Sequence, residues 1–251
     1  MRAWTRKKTI DLSDAKIVTI RNAQPPPMHT QLKGDAEESF QQWSAKFGLK
    51  RTDAVRIRDT VPHVKRVLPI LIRRKSIVVG NRNFDCQLTG TFPYYPEIMR
   101  AKIVNGRFLN EADDKGQMAS CVLSKGLADR LFAGRNPLRE SVILRDYETS
   151  HVFRVVGVLQ ERNTPQNLPQ HATTKDPPVS GNVYIPLSTM DALHNINDDG
   201  TPTLEAQNLS EIHVEFDSVE NVKPSMLLLH EILQNGESGR VYQIHSPLLQ
   251  K

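Results

Sequence analysis

The sequence predicts an α+β fold with a β-α-β unit at each end of the chain and a mostly β segment inserted between them. Residues 211–216 alternate as a strand, 222–235 place Met226, Leu229, Ile232 and Leu233 at helical spacing, and 241–245 alternate again. Residues 16–72 run strand, helical region, strand, a second unit of the same kind. Between the two units lie short apolar runs bounded by Gly, Pro and Asn. The 251 residues accommodate one large domain or two smaller ones, and 38% hydrophobic with 24% charged residues excludes collagen, coiled coil and wholesale disorder.

Residues 14–21 are β-rich and end at Pro25-Pro26-Pro27, whose fixed φ and missing N–H groups stop a ladder. Phe40, Trp43 and Phe47 are spaced for an amphipathic helix over 34–48. Thr52 is placed to cap a helix over 53–60 that buries Ala54, Val55 and Ile57 and stops at Pro62. Strands follow at 64–72 and 76–79, separated by Arg73-Arg74-Lys75, and at 84–91. From Phe92 to Phe108 the residues read as turns. A strand at 119–123, a helix at 126–132 and a strand pair at 141–144 and 151–159 come next. Residues 160–181 carry four prolines without apolar periodicity, which predicts a long surface loop. A strand at 182–186 leads into a helix at 187–195 opened by Ser188 or Thr189, and 197–200 form an acidic turn.

No run approaches the roughly 18–20 apolar residues that a membrane helix requires. The charged N-terminus lacks the apolar stretch of an intact secretory signal. Residues 51–82 hold nine Lys or Arg against Asp53 and Asp59, which raises a nucleic-acid-binding module as the alternative function. A solvated face is the favoured reading, because no aromatic residue for base stacking lies between Phe47 and Phe84.

Chemistry is sparse. The His-Glu-x-x-His pattern fails after His230-Glu231, both phosphate-binding glycine signatures are absent, and Gly-x-Ser-x-Gly is missing. His213 and His245 alternate with apolar neighbours and read as ordinary strand histidines. Glu111, Asp113 and Asp114 read as a helix start or turn, since the further oxygen donors of a calcium loop are lacking. No catalytic residue, metal or cofactor is therefore expected. Cys121 lies in an apolar strand, where burial makes a thiol inert, and a Cys86–Cys121 disulfide is the other reading, relevant only in an oxidising compartment.

Five segments, in order, resemble the periplasmic core domain of MacB-like (FtsX/MacB family) ABC transporter permeases. They are Asn105-Gly-Arg-Phe-Leu-Asn-Glu-Ala-Asp-Asp114, Ala119-Ser-Cys-Val-Leu-Ser-Lys-Gly-Leu-Ala-Asp-Arg-Leu-Phe132, Asn136-Pro-Leu-Arg-Glu-Ser-Val-Ile143, Phe153-Arg-Val-Val-Gly-Val-Leu159 and Asn182-Val-Tyr-Ile-Pro-Leu-Ser-Thr189. Residues 49–69 are similar to the family's helix and following strand. Arg139 stands where the family usually has glycine, and the loop over 160–181 is longer and richer in proline. Gly106 and Gly157 are expected at tight turns or close backbone approaches.

The resemblance implies a porter-like subdomain over 12–72 and 208–251 and an inserted, strand-rich subdomain over 73–207. It further implies an extracytoplasmic domain, flanked by membrane helices before residue 1 and after residue 251, that transmits ATP-driven motion without doing chemistry. Its partners would be an ABC ATPase domain or subunit, a second permease copy and a periplasmic adaptor, with no nucleic acid. Within the long loop, Arg162, Gln166, Gln170 and His171 are the expected partner contacts.

Overall fold

In the computed structural model the described residues are 14–22, 48–145, 149–162, 179–194, 208–234 and 242–249. After a 3₁₀ turn at Asp14–Lys16 the elements are β1 (Ile17–Asn22), β2 (Leu49–Lys50), α1 (Arg51–Thr60), β3 (Val64–Val79), β4 (Arg82–Thr91), α2 (Tyr95–Met99) and β5 (Lys102–Gly106). There follow α3 (Glu111–Lys115), β6 (Ser120–Ser124), α4 (Lys125–Phe132), β7 (Ser141–Arg145), β8 (Ser150–Gln160), β9 (Asn182–Pro186) and α5 (Leu187–His194). The last are β10 (Asn208–Leu209), β11 (Glu211–Phe216), α6 (Val222–Gln234), β12 (Tyr242–His245) and a 3₁₀ turn at Pro247–Leu249. The helix expected over 34–48 and the acidic turn at 197–200 lie outside the described residues, Gly48 excepted.

The chain divides into two units, Met1–Val67 with Ser210–Lys251, and Leu68–Leu209. In the first, strands lie in the order β12-β1-β11-β3, and β1 is antiparallel to both neighbours. Each β-α-β unit is thus split by a strand of the other, the double split of ferredoxin-like sheets. Val18, Ile20, Ile212, Val214 and Phe216 are buried on one sheet face. The helices α1 and α6 pack together and bury Ala54 and Ile57, and Val222, Leu229 and Leu233, respectively.

α1 begins one residue before Thr52, which therefore is not its cap. The Asp53 carboxylate instead accepts from the Lys50 backbone N–H at 2.8 Å, satisfying the helix entry from inside the first turn. Val55 is 47% exposed, since it points away from the stripe made by Ala54 and Ile57.

In the second unit six strands close into a circuit. β3 pairs with β4, β4 with β9, β9 with β6, β6 with β8, β8 with β7, and β7 returns to β3. β5 is added to the free half of β8. Closure removes sheet edges that would otherwise be open to pairing with other chains. The interior is filled by Leu71, Ile77, Leu88, Leu123, Val142, Phe153 and Val183, with Leu127, Leu131 and Phe132 of α4 packed into the same cluster.

Three expectations in this unit are corrected. Arg73-Arg74-Lys75 does not divide a strand: the triplet pairs with Leu88, Gln87 and Cys86 within an uninterrupted hairpin that turns at Gly80, φ +57. Residues 92–108 contain α2 and β5 rather than turns alone, because Pro96 occupies the first turn of α2, where its missing N–H costs nothing. α5 starts at Leu187, and its Ser188 N–H is bound by the Asp114 carboxylate of the neighbouring α3 at 3.1 Å, so its entry is satisfied from outside its own sequence.

The glycines of the Asn105-Gly-Arg-Phe and Val-Val-Gly-Val segments meet at the β5–β8 crossing. Gly106 has φ +68, and a Cβ on Gly157 would lie 1.9 Å from the Arg107 carbonyl oxygen, so neither position has room for a side chain.

Candidate functional site

Two bonded stems flank residues 163–178 of the expected loop, which lie outside the described residues. At the first, the Asn182 side-chain amide donates to Glu161 Oε1 at 2.6 Å, and the Tyr184 hydroxyl donates to the same oxygen. Tyr184 is buried, and its ring packs against Tyr95 and Phe108 at centroid separations of 5.0 and 5.9 Å. Burial, with the neighbouring Tyr95 and the Glu161 carboxylate, pushes the Tyr184 hydroxyl well above the usual phenol range, so it remains a donor to Glu161.

At the second stem the Ser180 N–H donates to the Asp85 carbonyl at 2.8 Å and Arg130 Nη1 to the Ser180 carbonyl at 3.3 Å. The Asn182 N–H donates to Ser124 Oγ at 2.9 Å. Gly181 has φ +152, and a Cβ there would stand 2.6 Å from Ser124 Oγ. Of the residues expected to meet a partner, Arg162 is half-buried beside the first stem, whereas Gln166, Gln170 and His171 lie outside the described residues. The Glu161–Asn182–Tyr184 clasp escapes sequence reading, because its members are 21 and 23 residues apart along the chain.

The basic run at 51–82 is dispersed over side-chain and carbonyl partners. Arg66 and Lys65 reach Glu215 at 2.6 and 3.5 Å, Arg74 reaches Asp85 at 3.1 Å, and Arg58 pairs with Asp59 at 2.8 Å. Arg82 donates to the Arg130 and Leu131 carbonyls at the end of α4, at 2.8 and 3.0 Å. A phosphate-tracking stripe does not form from these residues, and the nucleic-acid alternative finds no support.

The acidic knot resolves into a cap and a pair. Asn110 Oδ1 accepts from the Asp113 N–H and Asp113 returns the bond to the Asn110 N–H, each at 2.9 Å, which opens α3. Arg107 meets Asp113 at 2.5 Å. Burial works to raise the Asp113 pKa, but Arg107, Asn110 and Ser120 together bring it below the usual carboxylate range.

On the first unit's sheet, His213 is buried with Nε2 at 2.9 Å from Glu211 and Nδ1 at 3.1 Å from Thr19, while Arg21 reaches Glu211 at 2.8 Å. His245 is half-buried opposite Thr19, and burial followed by the nearby Arg21 charge lowers its pKa. Among the described residues no group of three or more His, Cys, Asp or Glu is placed to hold a metal ion.

The Cys86–Cys121 disulfide, raised as the other reading of these thiols, is not present in the structure. Both are free, buried thiols on β4 and β6, and β9 runs between those strands. Two strand spacings, about 9–10 Å, exceed the reach of a disulfide. Burial, followed by the Asp85 charge, pushes the Cys86 thiol up to about 12, and burial also raises Cys121.

Solved structures share this architecture. The periplasmic region of MacB from Actinobacillus actinomycetemcomitans superposes with a TM-score of 0.68 at 22% identity, covering 96% of this chain and 92% of that one. The extracellular domain of the transporter YknZ from Gram-positive bacteria gives 0.63 at 17% identity, covering 92% and 100%. At these identities the likeness is one of fold.

Residues 4–226 match the MacB-like periplasmic core domain, and the chain belongs to that family of ABC transporter permease domains. The pyoverdine export ATP-binding/permease protein PvdT of Pseudomonas syringae pv. tomato is 23% identical over 197 residues, 78% of this chain and 27% of PvdT. The macrolide export ATP-binding/permease protein MacB of Syntrophobacter fumaroxidans is 32% identical over 111 residues, 44% of this chain and 15% of that protein. The chain thus spans about a quarter or less of these relatives' length. Among the described residues no helix is long and apolar enough to cross a membrane.

Proposed function

We propose that this chain is the non-catalytic extracytoplasmic domain of an ABC export permease, transmitting ATP-driven conformational change to export a substrate or to act on an envelope partner. The family supports the setting, and one observation carries the mechanical part. The turns at Asp14–Lys16 and Pro247–Leu249 touch, and β1 and β12 are antiparallel neighbours with Thr19 opposite His245. The paths into and out of the domain therefore run side by side, as a module hung from one membrane face requires. Movement of the supporting helices would reach the domain at a single place.

ATP hydrolysis belongs in this reading to a cytoplasmic domain or subunit joined through membrane helices. A second permease copy and a periplasmic adaptor complete the assembly. The porter-like part comprises 12–72 and 208–251, and the inserted part 73–207. Arg162, Gln166, Gln170 and His171 on the loop between β8 and β9 form the contact with an envelope partner. The relatives' names, pyoverdine export and macrolide export, support a small-molecule cargo.

Placement is tested by Val152→Cys, a position 59% exposed, in the full-length protein, with any cysteine outside these 251 residues replaced by serine; Cys86 and Cys121 are buried. In spheroplasts a membrane-impermeant maleimide is expected to label this site at the rate seen after lysis, and labelling only after lysis would overturn the reading. Replacing residues 163–178 with a short Gly-Ser linker is expected to abolish partner capture and export while ATP turnover persists. Undiminished export would exclude the loop as the contact.

A further inference from the structure

In the first unit, α6 buries Val222, Ser225, Leu229 and Leu233 along one side. At about 100° per residue, Leu227 lies almost opposite that stripe. It is 78% exposed, and Leu228 on its flank is 39% exposed. Lys223 and Glu231, each four residues from Leu227, lie on the same i, i+4, i+8 ridge. Both are exposed, and neither has a partner among the described residues.

The order of these charges opposes the helix's own field. Lys223 stands in the first turn, at the positive end of the helix dipole, and Glu231 in the last turn, at the negative end. Nothing within α6 rewards that arrangement. It is, however, self-complementary. In an antiparallel pair of α6 helices with a twofold axis at Leu227, Lys223 of each copy stands opposite Glu231 of the other, and the two leucines meet between them. A parallel pair would set lysine against lysine, so charge selects the antiparallel one.

We propose that this stripe is the contact through which the first units of two copies of this chain meet, antiparallel about Leu227. The inference rests on the permease reading for the presence of a second copy and adds the surface that the copies use. One helix crossing buries less than the roughly 1,000 Å² that a free-standing dimer requires. The contact therefore forms where membrane helices hold the copies side by side at high effective concentration, and not between dilute isolated domains.

The test uses the full-length protein in its membrane, with any cysteine outside these 251 residues replaced by serine; Cys86 and Cys121 are buried. A short bismaleimide is expected to link Leu227→Cys into a covalent dimer about fivefold or more above Gln234→Cys, whose copies stand about 21 Å apart in the antiparallel pair. Lys223→Glu sets acid against acid and is expected to cut linking at Leu227→Cys about threefold or more. That change suits the helix's own field, so a folding defect would not account for the loss. Adding Glu231→Lys is expected to restore linking. Co-purification of two differently tagged copies reads the permease pairing separately. Copies that co-purify without linking at Leu227→Cys overturn the inference and leave the permease reading standing, whereas copies that do not co-purify overturn it together with the second copy of that reading. Equal linking at Gln234→Cys, or linking indifferent to Lys223→Glu, also overturns the inference.

Discussion

Arg139, the residue that departs from the family's usual glycine, has φ +69 and donates its N–H to the Val155 carbonyl at 2.9 Å. Arg139 therefore holds a left-handed backbone conformation of the kind that favours glycine. That conformation costs a residue with a Cβ about 1–2 kcal/mol. Glycine would return about 0.5–1 kcal/mol of this as unfolded-state entropy. Arg139→Gly is accordingly expected to stabilise the domain by about 0.5–1 kcal/mol, read as a higher urea midpoint with an unchanged slope. Glu211 gives a pH signature of the opposite kind. Burial would raise its pKa, but the hydrogen bond and charge of His213 and the Arg21 guanidinium outweigh this and bring it to about 2 from 4.5. A depressed carboxylate contributes stability that is present above the unfolded value and is lost as pH falls through the folded one. Unfolding free energy should thus fall between pH 4.5 and about 2, and Glu211→Gln should reduce that slope while lowering stability at pH 7.

At the scale of elements, the two thiols make a direct test of strand placement. Cys86 and Cys121 should resist alkylation in the folded chain and both react once it is unfolded in denaturant, counted by mass spectrometry; one fast-reacting thiol in the native state would contradict the burial of its strand. Most strands and the larger helices were legible in the sequence, because alternation at 211–216 sets Ile212, Val214 and Phe216 on one apolar face and helical spacing at 222–234 records a buried stripe. The misread points share a cause, namely partners distant in sequence. α5 is capped by Asp114, more than seventy residues upstream, and the charged triplet in β3 is carried by its pairing with β4. Pro96 reads as a breaker until its place in a first turn is known. The clasp beside residues 163–178, which lie outside the described residues, was not visible, since Glu161 carries no local mark of its bond to Tyr184.

For the whole molecule, the stems imply that the loop is separable from the scaffold that carries it. Glu161 and Asn182 hold its ends together at 2.6 Å, so shortening 163–178 should leave the barrel intact. The linker variant is expected to melt within about 4 °C of the parent, equivalent to less than about 1 kcal/mol for a domain of this size. A drop several times larger would mean that the loop belongs to the core. The barrel's closure argues for the smaller value, since every strand of the circuit keeps both neighbours when the loop is cut back. The contact between the 3₁₀ turns at Asp14–Lys16 and Pro247–Leu249 carries a consequence for how such proteins are assembled over time. A module whose two ends meet can be spliced into a hairpin of an unrelated host gene, or lifted out again, without stretching either the guest or the host.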